Sequence, residues 1–213
     1  NASPVMQSQK KYPRAFSFEF YPPKTAQGKE KLRATWKQLG QLKPKFFSCT
    51  YGAGGSTREG TLETVLEIRA AGYEAAPHIS CVASSREDLR AQLERYKDHG
   101  IRHVVALRGD LPSGLASLGE LRYANELVAF IRETTRDWFK IEVACYPEFH
   151  PETRSAADEI RHFKRKVDAG ANAAITQYFY NTDAYFRFVD ECEAAGIAIP
   201  VVPGVMPIGN FAQ

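Results

Sequence analysis

One repeating unit limits the fold of this chain more than any other feature. A short apolar run is followed by an amphipathic helical stretch, a glycine, and another apolar run. The glycines stand in "AAGY" (Gly72), "DHGI" (Gly100), "DAGA" (Gly170) and "AAGI" (Gly196). Glycine just past a helix end is the common left-handed cap. The pattern predicts strands over 15–20, 45–51, 74–81, 102–108, 140–146, 173–179 and 200–205. It predicts helices near 27–42, 57–71, 86–99, 119–136, 155–169 and 182–195. "SSRED" at 84–88 offers the third helix an N-cap and an acidic first turn. Strands alternating with helices build right-handed βαβ units on a parallel sheet. Near-continuous apolar strands imply that both faces of that sheet are covered.

Two α/β architectures satisfy this pattern, a (β/α)₈ TIM barrel and an open doubly wound sheet. The dinucleotide fingerprint that favours the open sheet is absent. "GAGGST" at 52–57 has Thr57 where the last glycine is needed, and no P-loop lysine follows. The barrel is therefore expected, with about seven strands in 213 residues, whereas such barrels usually take ~250 residues. On this reading 1–14 form an N-terminal tail, with Met6 as the native start. Residues 15–213 form the barrel and lack its last strand and last two helices. Seven strands would leave two unpaired sheet edges, a state proteins avoid. A continuation past Gln213, or a segment covering the gap, is expected.

Composition removes several function classes. The formal charge is +3, and no basic run exceeds Lys164-Arg165-Lys166, so general nucleic-acid binding is not indicated. No apolar stretch is long enough to span a membrane. Cys49, Cys81, Cys145 and Cys192 form no C-x-x-C pair and read as small buried hydrophobes. That usage, with no signal-peptide run at the start, suits a cytoplasmic protein.

Active sites of parallel barrels lie at the carboxyl ends of the strands. Those ends carry Glu19, Thr50 with Tyr51, His78, Arg108 with Asp110, Tyr146 with His150, and Gln177. The opposite ends read as plain: Ala15, Lys45, Ala75, His103, Lys140 and Ala173. In "AFSFEFYPPK", Phe16, Phe18 and Phe20 share one strand face, and Ser17 and Glu19 share the other. The rings are expected to face outer helices and Glu19 to point inward at the rim. His78 reads as a functional or a core histidine, and it lacks the closely spaced partners of a metal site. Arg108-Gly109-Asp110 reads as a cation and an anion around a glycine that admits a ligand. Glu159, His162 and Lys166 fall at i, i+3, i+7 on one helix. With the rigid "CYPEFHPE" loop at 145–152 they could form one wall for a long anionic ligand.

"FSFEFYPPKT", "TYGAGGST", "PHISC", "ALRGDLP", "ACYPEFHPE", "KRKVDAGANAAITQYFYN" and "VPGVMPIGNF" occur in that order between Phe16 and Phe211. These blocks resemble the methylenetetrahydrofolate reductase family. Its members are flavoproteins of one-carbon metabolism, on the route to methionine, that reduce methylenetetrahydrofolate to 5-methyltetrahydrofolate. The resemblance implies a (β/α)₈ barrel that holds FAD and uses NADH or NADPH as co-substrate. It implies FAD contacts from Tyr51, Ala53, His78, Arg108, Gly109, Asp110, Ala124, Tyr146, His150, Arg165 and Lys166. Thr50 and Gln177 would lie near the nicotinamide. Asp110, Gln177 and Gln213 would hold the folate, with Glu19 as proton donor and Asp110 catalytic in a different task, its charge opposing negative charge on the reduced flavin. The family usually has Asp where Glu159 stands and a smaller polar residue near His162, so these two would meet the adenosine end of FAD in altered form. A homo-oligomer is compatible with the resemblance. A flavin-binding barrel fragment without full activity and a folate-dependent methyltransferase barrel are the alternatives. A Schiff-base aldolase is disfavoured, because no lysine ends an inner strand.

Overall fold

Ser17–Phe20 (β1) opens the fold, and its alternation decides two layers at once. In a computed structural model that describes residues 15–52, 56–109, 119–147, 155–176 and 182–205, Phe18 and Phe20 point outward. There they join Trp36 and Leu32 of the first helix, and Phe20 stacks on Phe47 at 5.5 Å between ring centroids. Full burial of each such ring contributes about 1.5–3 kcal/mol. Ser17 and Glu19 take the inner face, as expected.

The elements alternate throughout. After β1 come α1 (Ala26–Gly40), β2 (Phe46–Cys49), α2 (Arg58–Ala70), β3 (Ala75–Ser80), α3 (Arg86–Asp98) and β4 (His103–Leu107). Then follow α4 (Ala124–Thr135), β5 (Lys140–Cys145), α5 (Ala156–Asp168), β6 (Ala173–Thr176), α6 (Thr182–Ala194) and β7 (Val201–Val205). Side-chain oxygens of Thr25, Ser85 and Ser155 accept N–H groups at the starts of α1, α3 and α5. The four helix-ending glycines all adopt positive φ. No described helix is long and apolar enough to cross a membrane. The expected tail, 1–14, lies outside the described residues.

The helix expected from 119 begins instead at Ala124. Gly119 has φ +84, and a Cβ there would lie 2.8–2.9 Å from backbone atoms of Ala83 and Ser84. Glu120 N–H donates to Ser84 O at 3.1 Å, so this stretch packs on the loop after β3 before the helix can start.

The described strands form a closed parallel barrel in the order β1-β2-β3-β4-β5-β6-β7. The two unpaired edges expected of seven strands are therefore not found. β7 pairs with β1 through Ser17↔Gly204 and Phe18↔Val205. The packing of β7 on β6 depends on the missing side chain of Gly204. A Cβ there would come within 2.7 Å of Ile175 Cγ2 and 2.8 Å of the Thr176 carbonyl oxygen. Backbone cannot yield as a flexible side chain can. Gly204→Ala is expected to lower stability by about 1–3 kcal/mol, as overpacking does, read as a lower urea midpoint.

Phe46, Ala76, Val105 and Ile175 fill the barrel interior. Below them, the amino-terminal strand ends are not plain. Glu142 is fully buried and was missed in the sequence, where it sits inside the apolar run "KIEVAC". Its Oε1 lies 3.1 Å from His103 Nε2 and 3.6 Å from Lys140 Nζ. His103 Nδ1 lies 3.3 Å from Glu74 Oε1, and the imidazole packs 4.6 Å from the Phe46 ring. Burial would lower the pKa of His103, but the hydrogen bonds to Glu142 and Glu74 outweigh it and raise that pKa.

Candidate active site

The register places three inward side chains on neighbouring strands near the carboxyl end of the barrel. Glu19 pairs with Ser48, and Ser48 pairs with Ala76, two residues before His78. His78 Nε2 lies 3.3 Å from Glu19 Oε1 and 3.2 Å from Ser48 Oγ. Glu19 keeps 28% of its side chain exposed, whereas His78 keeps 2%. Burial lowers the His78 pKa, against the pull of Glu19, so the ring is neutral at pH 7. With its ring proton on Nε2, the imidazole donates to Glu19 Oε1 whether or not that carboxyl carries a proton. His78 Nδ1 is then a buried acceptor with no partner among the described residues. Ser48 was missed in the sequence, although the alternation in "FFSC" marks it as inward.

A second group surrounds the end of β5. Lys166 of α5 donates to Ala144 O at 2.9 Å, and its Nζ stands 5.4 Å from the centre of the Tyr146 ring. Burial lowers its pKa, and Glu159 opposes the fall. Glu159 is itself buried at 2% exposure. The shared helix face of the sequence reading thus divides: Glu159 and Lys166 turn inward, while His162 and Arg165 are exposed.

A third group lies where β2, β3 and β4 end. Thr50 continues the β1 ladder by donating its N–H to Phe20 O at 3.0 Å. Tyr51 hydroxyl accepts the Ser80 N–H at 2.6 Å. Arg108 is half-buried just past β4. Gly109 has φ +86, and a Cβ would lie 2.7 Å from Val82 Cγ1. Any larger residue there would be strained twice, by conformation and by space. Ala124 is buried and opens α4, whose N-cap residue Tyr123 gives no side-chain hydrogen bond. Ala53, Asp110, His150, Gln177 and Gln213 lie outside the described residues.

The cysteines are free and buried. Burial pushes Cys49 and Cys192 up to about 12 and Cys81 to about 11. These thiols are packing groups rather than nucleophiles.

The arrangement offers a partly exposed carboxylate held by a neutral imidazole, and a desolvated cation beside an aromatic ring. It can exchange a proton at Glu19 and meet a flat polyanionic ligand along β3 to β5.

The methylenetetrahydrofolate reductase model matches residues 5–213. The chain is 46% identical over 198 residues to the 5,10-methylenetetrahydrofolate reductase of Salmonella typhimurium, over 92% of this chain and 66% of that one. Identity and coverage are the same for the Escherichia coli protein of that name. It is 40% identical over 211 residues to methylenetetrahydrofolate reductase (NADH) 1 of Zea mays, over 92% of this chain and 36% of that one. The chain thus spans 66% of the length of the bacterial relatives it matches. Among solved structures, an uncharacterized protein from Clostridium thermocellum that binds two copies of 5-methyl-5,6,7,8-tetrahydrofolic acid superposes with a TM-score of 0.60 at 14% identity. That match covers 95% of this chain and 68% of the other. Phosphonopyruvate hydrolase, complexed with oxalate and Mg²⁺, gives 0.62 at 12% identity, over 92% of this chain and 77% of the other. At these identities the likeness concerns the barrel alone. On the family model and the bacterial relatives, the chain belongs to the methylenetetrahydrofolate reductase family.

Proposed function

We propose that this chain carries the catalytic barrel of an FAD-dependent reductase that converts 5,10-methylenetetrahydrofolate to 5-methyltetrahydrofolate, with NADH or NADPH as donor. The observation that carries the reading is Glu19. It is an inward carboxylate near the carboxyl end of the barrel, 3.3 Å from a buried imidazole. Carboxylates so placed in barrels serve chemistry.

The residues present fit FAD. His78 Nδ1 offers a buried acceptor with no partner among the described residues. Gly109 lets the chain just past β4 pack directly on Ser80 and Val82, where a Cβ would clash. Lys166 supplies a desolvated cation beside Tyr146. Arg108, His150, Arg165 and Lys166 would hold the pyrophosphate. Tyr51, Ala53, Ala124 and Tyr146 would flank the rest, and Glu159 and His162 would meet the adenosine end. When bound, FAD supplies the two-electron hydride chemistry that links nicotinamide to folate.

The chain's own acid–base work is at the folate. The ring bridging N5 and N10 must open to an N5 iminium before it can accept hydride, and N10 must gain a proton as it leaves. Glu19 donates that proton. Asp110 accepts two hydrogen bonds from the pterin amino group and ring N–H. Thr50, Gln177 and Gln213 position the nicotinamide and folate in turn, Gln177 through an amide that both donates and accepts.

Heat release and chromatography of the bound flavin are expected to give FAD. Predominant FMN would remove the pyrophosphate role of the basic cluster. Folate-dependent oxidation of NADH or NADPH tests turnover. Flavin uptake without it would support the binding barrel instead.

A further inference from the structure

β3 outruns β2. Their pairing ends at Cys49↔Pro77, yet β3 continues to Ser80. In place of a ladder bond from β2, the Ser80 N–H is taken by the hydroxyl of Tyr51 at 2.6 Å. A side chain can replace a ladder bond only if its ring is held in place.

The holder is Arg58, the first residue of α2. Its guanidinium carbon lies 5.4 Å from the centre of the Tyr51 ring. From its other side the guanidinium is gripped by Asp88 of α3, with Nη1 to Oδ1 at 3.2 Å and Nη2 to Oδ2 at 3.0 Å. Nη2 also donates to Ser84 Oγ at 3.3 Å. Asp88 is in turn fixed in the first turn of its helix, where its N–H donates to Ser85 Oγ. Contacts therefore run from the loop after β2, through Arg58, to the loop after β3. Two non-glycine residues with left-handed backbone stand beside these contacts. Thr57 (φ 64) precedes Arg58, and Ala83 (φ 58) precedes Ser84. Such conformations persist only where the surroundings fix them, and they gather at ligand sites. Arg58 Nε is buried with no partner among the described residues. The guanidinium is thus placed over the Tyr51 ring and forked to Asp88, at the expense of one donor.

We propose that Arg58 is a positioning residue. It fixes the Tyr51 ring, ties together the loops after β2 and β3, and thereby sets the affinity of the site for FAD. The FAD part rests on the function proposed above; the coupling of Arg58 to Tyr51 does not. Lysine cannot replace it, because an ammonium has neither the plane nor the fork.

The test measures hydrogen exchange of the Ser80 amide in the FAD-free protein, with the Val143 amide of β5 as reference. Arg58→Met is expected to speed Ser80 exchange by about tenfold or more while Val143 changes less than about twofold, the pattern of local opening. Asp88→Asn, which keeps the arginine but weakens its anchor, is expected to fall between, and Arg58→Lys to behave like Arg58→Met. Unchanged Ser80 exchange in these variants overturns the proposal. So does equal acceleration of both amides, which would make Arg58 a general stability residue. FAD titration by fluorescence is expected to show about tenfold weaker binding in Arg58→Met. Unchanged affinity beside fast Ser80 exchange would overturn the link to FAD. A parent protein that takes up no FAD would count against the proposed function, and the Ser80 comparison would still decide the coupling.

Discussion

Glu19→Gln is expected to slow methyltetrahydrofolate formation by about 10²–10⁴-fold in the active, FAD-loaded protein, the usual loss of a general acid. Oxidation of NADH or NADPH without folate is expected to continue near its ordinary rate, since that half needs no proton at N10. The substitution is well matched to its surroundings. The glutamine carbonyl can still accept from His78 Nε2, 3.3 Å from the present Oε1, so the imidazole keeps its place. What disappears is the transferable proton. Stopped-flow absorbance separates the two halves. Equal slowing of both would make Glu19 a structural or cofactor-positioning group, and no slowing of the folate half would remove it from the chemistry.

His103→Leu is expected to destabilise the barrel by about 3–5 kcal/mol, the cost of leaving a buried charge without its partner. The charge that loses its partner is Glu142, which has 0% accessible side chain and an Oε2 already without a partner among the described residues. Only Lys140 Nζ, at 3.6 Å, would remain. Glu74 adds little to this figure because its side chain is 58% exposed and water screens it. The double variant His103→Leu, Glu142→Leu is expected to recover most of the loss. Calorimetry of the two variants beside the parent checks both outcomes.

The same network sets a pH dependence. His103 has a folded pKa above its ordinary 6.5. Its stabilisation is complete below about pH 6.5 and is lost as pH rises through the folded value. Glu74, held below 4.5 chiefly by its hydrogen bond to His103, acts at the other end. Its contribution is present above about pH 4.5 and is lost as pH falls through its folded value. Nearby Lys45 is lowered by burial and by Lys140, against the pull of Glu142. His103→Leu is expected to remove the part of this slope that His103 contributes as pH rises.

The sequence disclosed the layers better than it disclosed the ends. Phe18 and Glu19 fall on opposite faces because a strand has period two, and no tertiary information is needed to see it. His78 and Lys166 were legible because each stands at a position where an apolar run stops or a helix turns inward. Glu142 was not legible, because one acid inside "KIEVAC" reads as an interruption until His103 is known to lie on the neighbouring strand. Arg58 was hidden for a related reason. Its partners Asp88 and Ser84 are distant in the chain, and no local pattern marks a guanidinium that stands over a tyrosine ring. Ring closure was misjudged because counting strands cannot reveal that β7 reaches β1 through Ser17↔Gly204 and Phe18↔Val205.

That closure has a consequence for how the molecule assembles and breathes. Every other pairing joins strands consecutive in the chain, so each can form as its βαβ unit folds. The pairing of Ser17 and Phe18 with Gly204 and Val205 spans nearly the whole described length and has two register positions. Distant contacts bear the greatest loop-closure entropy and form late. The β1–β7 seam is therefore the last part of the ring to be sealed and the cheapest to unzip. In native-state exchange the ring would part there first, behaving as a clasped band rather than a uniform hoop.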